Sequence, residues 1–394
     1  MPPPALSAKR ARLLSLIASQ SAGPGRARAT AAIRDVKAQA VREPVSRREY
    51  VLVSVETDAG WTGIGESAAA GGGGGAVVAA VEGLKKQLLG RDATAYEAAR
   101  LATAGSEPAP AVSAAQAAVN MALLDITGQA ARAPVYQVLG GPTRFMARAA
   151  APLSGASPAE LQASLDQLRA AGFRAVFVPL PPPPNRNQGQ DYVRAVRRLL
   201  ERLLSGAGEE MDFVLDCDGA LTPGDAQVLA REIESLHLLW LEEPCPLLQL
   251  QAAAKISAES ATPVGFGRRV AHNSGFQDLL RLDALDVLRP DIARHGITQI
   301  RKAAALAETY YVAVSTYHRG GPVATAACLH LAASLPNFFL QEVPWPAAEA
   351  DRRMRAELVS RSFESPRDGY LPLPVGPGLG LTLNLDAVRK YRAA

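Results

Sequence analysis

A chain of 394 residues is long enough for one large α/β domain with a smaller companion, and its 48% apolar and 20% charged residues allow a substantial core. The formal net charge of +4 owes much to Lys9, Arg10, Arg12, Arg26, Arg28 and Arg34, which have no aromatic residues between them and so argue against a nucleic-acid surface. No apolar run reaches the roughly 18 residues of a membrane span, and Cys217, Cys245 and Cys328 have neither paired nor metal-type spacing. A cytoplasmic protein with no membrane or nucleic-acid partner is expected.

Residues 1–30 read as a disordered Ala/Arg/Pro leader whose short apolar piece falls short of a secretory core. YVLVSVETDAGWTGIGES (50–67) reads as a hairpin about the turn-former DAGW. The glycines of AAAGGGGGA (68–76) are followed by no Lys-Ser/Thr, so they form a loop and not a phosphate cradle. Residues 76–139 carry helical spacing and stop at the Gly pair of VYQVLGG, which makes 31–145 an α+β capping domain. From 146 to 343 the pattern changes. MARAAAPL, RAVFVPL, DFVLDCD, LLWLEEP, TPVGFG, LDVLRPD, YVAVSTYH and NFFLQE alternate with helical stretches, and the run PLPPPPN (179–185) forms a stiff loop. Eight strands alternating with helices predict parallel pairing in a (β/α)7–8 TIM-like barrel, an α/β fold, with residues 344–394 packing back on the cap.

Chemistry in such barrels sits where the strands finish. Asp216 and Asp218 flank Cys217, so both carboxylates face one way from the third strand. Glu242 and Glu243 close the fourth, Arg268 and Arg269 follow the fifth, and Asp291, His318 and Glu342 close the last three. Asp216, Glu242 and Arg268 are spaced by 26 residues each. One ionisable strand end is as often a surface charge as a site group; six in succession point to a site.

These residues carry a resemblance. The hairpin VLVSVETDAGWTGIGES, the helical AAVNMALLDITGQAARAPVYQVLGG, and WLEEP, DVLRPDIARHGIT, KAAALAETYYVAVSTYH, GPVATAACLHLAA and PNFFLQE together resemble the enolase superfamily. Within it, the similarity is to the mandelate racemase/muconate lactonizing enzyme-type branch that includes galactonate-like acid-sugar dehydratases. The resemblance covers the chain from about residue 33 and implies a cap-plus-barrel fold, a homo-oligomer and a small acid-sugar-type carboxylate as substrate. It also implies Mg²⁺ on three strand-end carboxylates, which stabilises the enediolate left when a base takes the proton α to the substrate carboxylate.

Mapped by that resemblance, the metal ligands are Asp216 and Glu242, and the third position holds Arg268 where the family pattern Gly-Glu-Arg reads Gly-Arg-Arg. A guanidinium cannot ligate Mg²⁺ but can bond to Asp216 or Glu242 in its place; alternatively Arg268 turns to solvent and Asp218 serves as third ligand. The Lys-x-Lys pair of many racemase-type members is replaced by Phe177 and Pro179, which disfavours two-base racemisation. Asp291 and His318 match the family's Asp–His dyad, with His318 as general base polarised by Asp291, and Glu342 matches a glutamate that bonds the enediolate. His295 replaces a glycine and is expected to crowd the pocket, whereas Asp218 stands where a histidine can be the acid for hydroxyl loss. Three readings follow: a dehydratase-like protein with impaired or absent Mg²⁺ binding, a ligand-binding or scaffold pseudoenzyme, and a metal-independent proton-transfer enzyme with Arg268 as electrophile. Substrate choice is expected from the cap loops at 44–48 and 66–76, and the segment 102–112 is shorter than the loop the resemblance implies there.

Overall fold

The structure, a computed structural model, describes residues 31–105, 108–182 and 189–393. The expected leader, the tip of the 102–112 loop and the far part of the proline run lie outside these residues.

The chain begins with an antiparallel sheet of β1 (Ile33–Arg42), β2 (Glu49–Thr57) and β3 (Thr62–Ala68), ordered β1-β2-β3. The hairpin turn reverses through Gly60 at φ +82°, in the left-handed region that favours glycine. The sequence reading missed β1, because Arg34, Asp35, Lys37 and Gln39 break up its apolar pattern. In β2 the two-residue period divides the side chains between two cores. Val51, Val53 and Val55 pack with the cap helices, whereas Tyr50 and Leu52 join the larger core that reaches into the barrel. The Ala-rich helix Pro110–Ala131 lies directly on β3, where a Cβ at Gly63 or Gly65 would overlap the carbonyl oxygens of Ala122 and Ala118.

The eight expected barrel strands are all present: β4 (Met146–Pro152), β5 (Ala175–Pro179), β6 (Asp212–Asp216), β7 (Trp240–Glu242), β8 (Val264–Phe266), β9 (Val287–Leu288), β10 (Ala313–Val314) and β11 (Gln341–Glu342). They pair in parallel in the order β10-β9-β8-β7-β6-β5-β4-β11. The Val314–Phe338 bridge, with Val314 N–H donating to Asn337 O at 2.9 Å and Phe339 N–H to Val314 O at 2.8 Å, closes the ring. Ala150, Ala175, Phe177, Val214, Trp240, Val287 and Leu340 fill the interior, with Phe177 and Trp240 edge to face at 5.5 Å. Most of the surrounding helices, such as Pro158–Ala170, bury one stripe. Helix Pro158–Ala170, opened by the Ser157–Glu160 capping box, turns Leu161, Leu165 and Leu168 inward.

Two buried carboxylates join the parts of the molecule. Asp125 accepts the Ile64 amide at 2.9 Å and the Leu379 amide at 2.7 Å, tying cap helix to cap strand and to the late chain. Glu66, at the end of β3, accepts the Gly321 amide and the Val323 amide (3.1 Å), so it caps the wholly buried barrel helix Pro322–Ser334 from the other domain. The C-terminal segment adds β12 (Tyr370–Pro372) antiparallel to β4, then returns to the cap, where Tyr391 O accepts the Arg42 amide at 3.0 Å and Ala40 O the Ala393 amide at 2.9 Å.

Candidate active site

Arg268 follows β8 and is only 6% exposed, so its guanidinium needs partners inside the protein. It finds them on two neighbouring strands. Nη1 donates to Asp216 Oδ2 at 2.9 Å and Nη2 to Asp216 Oδ1 at 2.6 Å, a two-pronged bond, and Nε forms an ion pair with Glu242 Oε1 at 2.9 Å. Nη2 also reaches Asp218 Oδ1 at 3.4 Å. Burial works against the charge of Arg268, but Glu242 and Asp216 outweigh it and hold the guanidinium protonated. The solvent-facing alternative does not occur: the side chain lies on the two carboxylates that the resemblance maps as metal ligands.

A second guanidinium lies in the barrel. Fully buried Arg289, at the end of β9, donates from Nε to Glu242 Oε2 at 3.0 Å, from Nη1 to Ser315 Oγ at 2.7 Å and from Nη2 to Glu342, with Phe177 4.9 Å beneath it. Trp240 Nε1–H donates to the same Glu242 oxygen at 2.7 Å. Asp216, Glu242 and Glu342 are thus partly offset by two arginines, one of which the sequence reading overlooked. Arg289 stands two residues before Asp291, the same alternation that singled out Asp216 and Asp218, so that rule would have found it.

Above this layer, at the barrel mouth, is a cavity of about 280 Å³. Arg268, Arg269, Arg294, Arg319, Asp218, Asp291 and Tyr317 line it from the barrel, and Ala68–Ala70, Pro110 and Ala114 from the cap. Of the sequence candidates, Arg268, Asp218 and Asp291 reach the cavity; Asp216, Glu242, Glu342 and His318 do not line it. Asp218 is held by Arg269 Nη2 at 2.8 Å. The cap loop at 66–76 contributes as expected, but the loop at 44–48 is bonded elsewhere, its Val45 and Ser46 amides donating to Asp351 at 2.8 Å each.

The structure does not bring Asp291 and His318 into hydrogen-bond contact. Asp291 Oδ1 accepts the Ala293 amide at 2.9 Å and so caps the helix Ile292–Glu308, while burial raises its pKa to about 6. His318 is fully buried, and its Nε2 lies 3.3 Å from the Thr325 hydroxyl. That hydroxyl donates to Glu364 at 2.6 Å, so the Nε2–H tautomer completes the contact and Nδ1 is left as a buried acceptor without a partner. Burial first, then the Arg355 charge, push its pKa down to about 3, so the ring is neutral. His295 does not crowd the cavity either: it packs 4.9 Å from Phe276, with Nε2 3.0 Å from Val270 O.

The donor set bears directly on a divalent cation. Among the described residues no group of three His, Cys, Asp or Glu side chains is placed to hold a metal ion. Two carboxylates remain at the mapped position, Asp216 hydrogen-bonded to Arg268 and Glu242 ion-paired with it. A dication about 4 Å from that guanidinium would be repelled by on the order of 8 kcal/mol at an effective dielectric constant of about 20. The arrangement does not fit Mg²⁺. It instead presents fixed positive charge to a cavity of small-molecule size.

Strand ends around a barrel mouth beneath an α+β cap define a two-domain protein of the capped α/β-barrel class. Residues 27–140 match the family "Mandelate racemase / muconate lactonizing enzyme, N-terminal domain", and residues 160–387 match "Enolase C-terminal domain-like". The chain belongs to this family, within the enolase superfamily, and is acid-sugar dehydratase-like. It is 29% identical over 367 residues to a D-xylonate dehydratase of Haloferax volcanii (87% of this chain, 85% of the relative). It is 31% identical over 354 residues to a D-galactonate dehydratase of Ralstonia pickettii (85% of this chain, 89% of the relative). Among solved structures, an enolase described as a putative galactarate dehydratase from Agrobacterium radiobacter, bound to Na and L-malate, superposes with a TM-score of 0.84 at 25% identity, over 92% of this chain and 95% of that one.

Proposed function

We propose that this chain captures a small acid-sugar-type hydroxy-carboxylate in the arginine-lined cavity, and that it does so without Mg²⁺ at Asp216, Glu242 and position 268. The observation that carries this reading is the position of Arg268, bonded to both carboxylates and facing the cavity. Asp216 and Glu242 hold the guanidinium in place, and Arg268 with Arg269 and Arg319 attracts the ligand carboxylate. The reaction class is removal of the proton α to that carboxylate and loss of the β-hydroxyl as water. Arg268 offers the developing enediolate one positive charge where a dication would offer two, so turnover is slow. The family resemblance assigns the base to His318, which reaches the ligand in this scheme only when its ring turns from Thr325 toward the cavity; Asp291 stands beside the cavity and Asp218 at its rim. The kinship with xylonate and galactonate dehydratases supports the substrate class. Buried free cysteines are in keeping with a cytoplasmic location.

A second reading, binding without turnover, is favoured by His318, which neither lines the cavity nor contacts Asp291. One experiment separates the two. D-Galactonate is titrated calorimetrically with Mg²⁺ and again with EDTA, and the same mixtures are followed in D₂O for α-proton exchange. Equal affinity in both media supports the metal-free site, and exchange that survives EDTA and falls by roughly 10²–10⁴ in His318→Asn supports catalysis. Binding without exchange selects the second reading. A tight Mg²⁺ site that disappears in Asp216→Ala would sink the proposal.

A further inference from the structure

Arg294 belongs to two cavities. Besides the barrel mouth it lines a smaller space of about 180 Å³ between the cap helix Pro110–Ala131 and the start of Ile292–Glu308. Nothing in the chemistry above uses this second space, yet its walls are polar in one direction only. Arg100 and Arg294 line it, and no Asp or Glu does among the described residues. Three of its residues, Asn120, Thr298 and Gln299, each carry a buried polar atom with no hydrogen-bond partner: Nδ2, Oγ1 and Nε2. Asn120 and Thr298 are each 5% exposed, so bulk water does not satisfy them.

The orientation of these groups is fixed by their other bonds. Asn120 Oδ1 accepts the Thr298 amide at 3.1 Å, which leaves its NH₂ unused. Gln299 Oε1 accepts Asn273 Nδ2 at 2.7 Å, which likewise assigns Nε2 as the free end. Two amide groups and a hydroxyl without acceptors, beside the unpaired Arg294 and an Arg100 whose Nε donates to Glu97 at 3.0 Å, with no carboxylate among the described lining residues, are complementary to an acceptor-rich anion. Arg294 itself makes no ion pair among the described residues, and it stands where the two spaces meet.

We propose that this second cavity is a subsite for a distal acidic group, so that the preferred ligand is a diacid. One carboxylate sits in the barrel mouth, and the other is held by Arg294 with the amides of Asn120 and Gln299 and the hydroxyl of Thr298. The inference rests on the reading that the barrel mouth captures a carboxylate.

The test compares galactarate with D-galactonate, which share a carbon chain and differ in the oxidation of one end, by calorimetry in EDTA. Galactarate is expected to bind at least about tenfold more tightly, since a second carboxylate among charged and neutral donors is worth one such step or more. Thr298→Val removes only the hydroxyl at nearly constant shape, and Gln299→Glu places a like charge in the subsite while keeping the Asn273 bond. Each should lower galactarate affinity by roughly 5- to 50-fold and leave D-galactonate within about twofold. A thermal melt of each variant checks that the fold is retained. Equal affinity of the two ligands, or variants that weaken both alike, overturns the subsite while leaving carboxylate capture intact. If neither ligand binds the wild type, both proposals fall together.

Discussion

Arg268 stands where the family resemblance maps the third metal ligand, and the charges around it show what a reversal requires. Asp216, Glu242 and Glu342 contribute three negative charges and Arg268 and Arg289 two positive ones, a net of −1. Arg268→Glu with Mg²⁺ bound would give four negative charges, one guanidinium and one dication, again −1. The substitution is therefore expected to create a Mg²⁺ site, seen as a Mg²⁺-dependent rise in melting temperature that the wild type does not show. Without Mg²⁺ the variant should be less stable by about 3–5 kcal/mol, because Glu242 and a new carboxylate face each other in a buried place. A variant indifferent to Mg²⁺ would mean that position 268 does not complete the ligand set. The identity of this position was legible from sequence, since the 26-residue spacing and the Gly-Arg-Arg reading both single out Arg268. Asp216 and Glu242 were named as its possible partners, but the choice between them and solvent was not legible, because a strand end names the residue and not the rotamer. The same limit applies to His318, whose ring turns toward Thr325 and Glu364 for reasons that lie in another helix and in the late chain.

At the scale of elements, the barrel was readable because each strand is a short apolar run between helical periods, and all eight runs are strands. The strand β1 was not, since its buried Ile33, Val36 and Val41 are separated by polar residues that pair across the sheet. Nor could sequence reveal that Glu66, on a cap strand, caps the barrel helix Pro322–Ser334. Burial, opposed by the amide bonds, raises the Glu66 pKa to about 7. An acid with a raised folded-state value holds more protons folded than unfolded between about pH 4.5 and 7, so its contribution to stability falls as pH rises through that window. His318, His295 and His330, pushed down to about 3, 4 and 4, act in the opposite sense below their unfolded value near 6.5. The total pH profile therefore mixes both, and the useful measure is a difference. The melting temperature of wild type minus that of Glu66→Gln should decline from pH 5 to pH 7; a flat difference would show that Glu66 titrates normally.

For the whole molecule, the late chain closes a circuit. It pairs with the first barrel strand through β12, receives Asp125 from the cap at Leu379, and ends against β1. Removing residues 385–394 would break the Ala393–Ala40 and Arg42–Tyr391 bonds, the contacts of Lys390 and Tyr391 with Glu357 (both 2.8 Å), and the burial of Ala387 and Val388. A fall in melting temperature of roughly 1 °C per kcal/mol lost is expected, with the far-ultraviolet circular dichroism of the barrel retained. An unchanged melt would show that the segment contributes nothing to stability.

The tethering of the positive charge at Arg268 has one more consequence. A dissociable ion has an affinity, an off-rate and competitors, so a site built on one has an empty state whose population follows the supply of that ion. A guanidinium joined to the backbone next to β8 has none of these. Its local concentration is set by the chain and is the same at any dilution. On the proposed metal-free reading, the cavity above it is charged from the moment the barrel closes, and ligand capture is expected to be insensitive to chelators and to exchange with calcium or manganese. On that reading, folding alone, without metal loading, makes the protein competent to meet an anion.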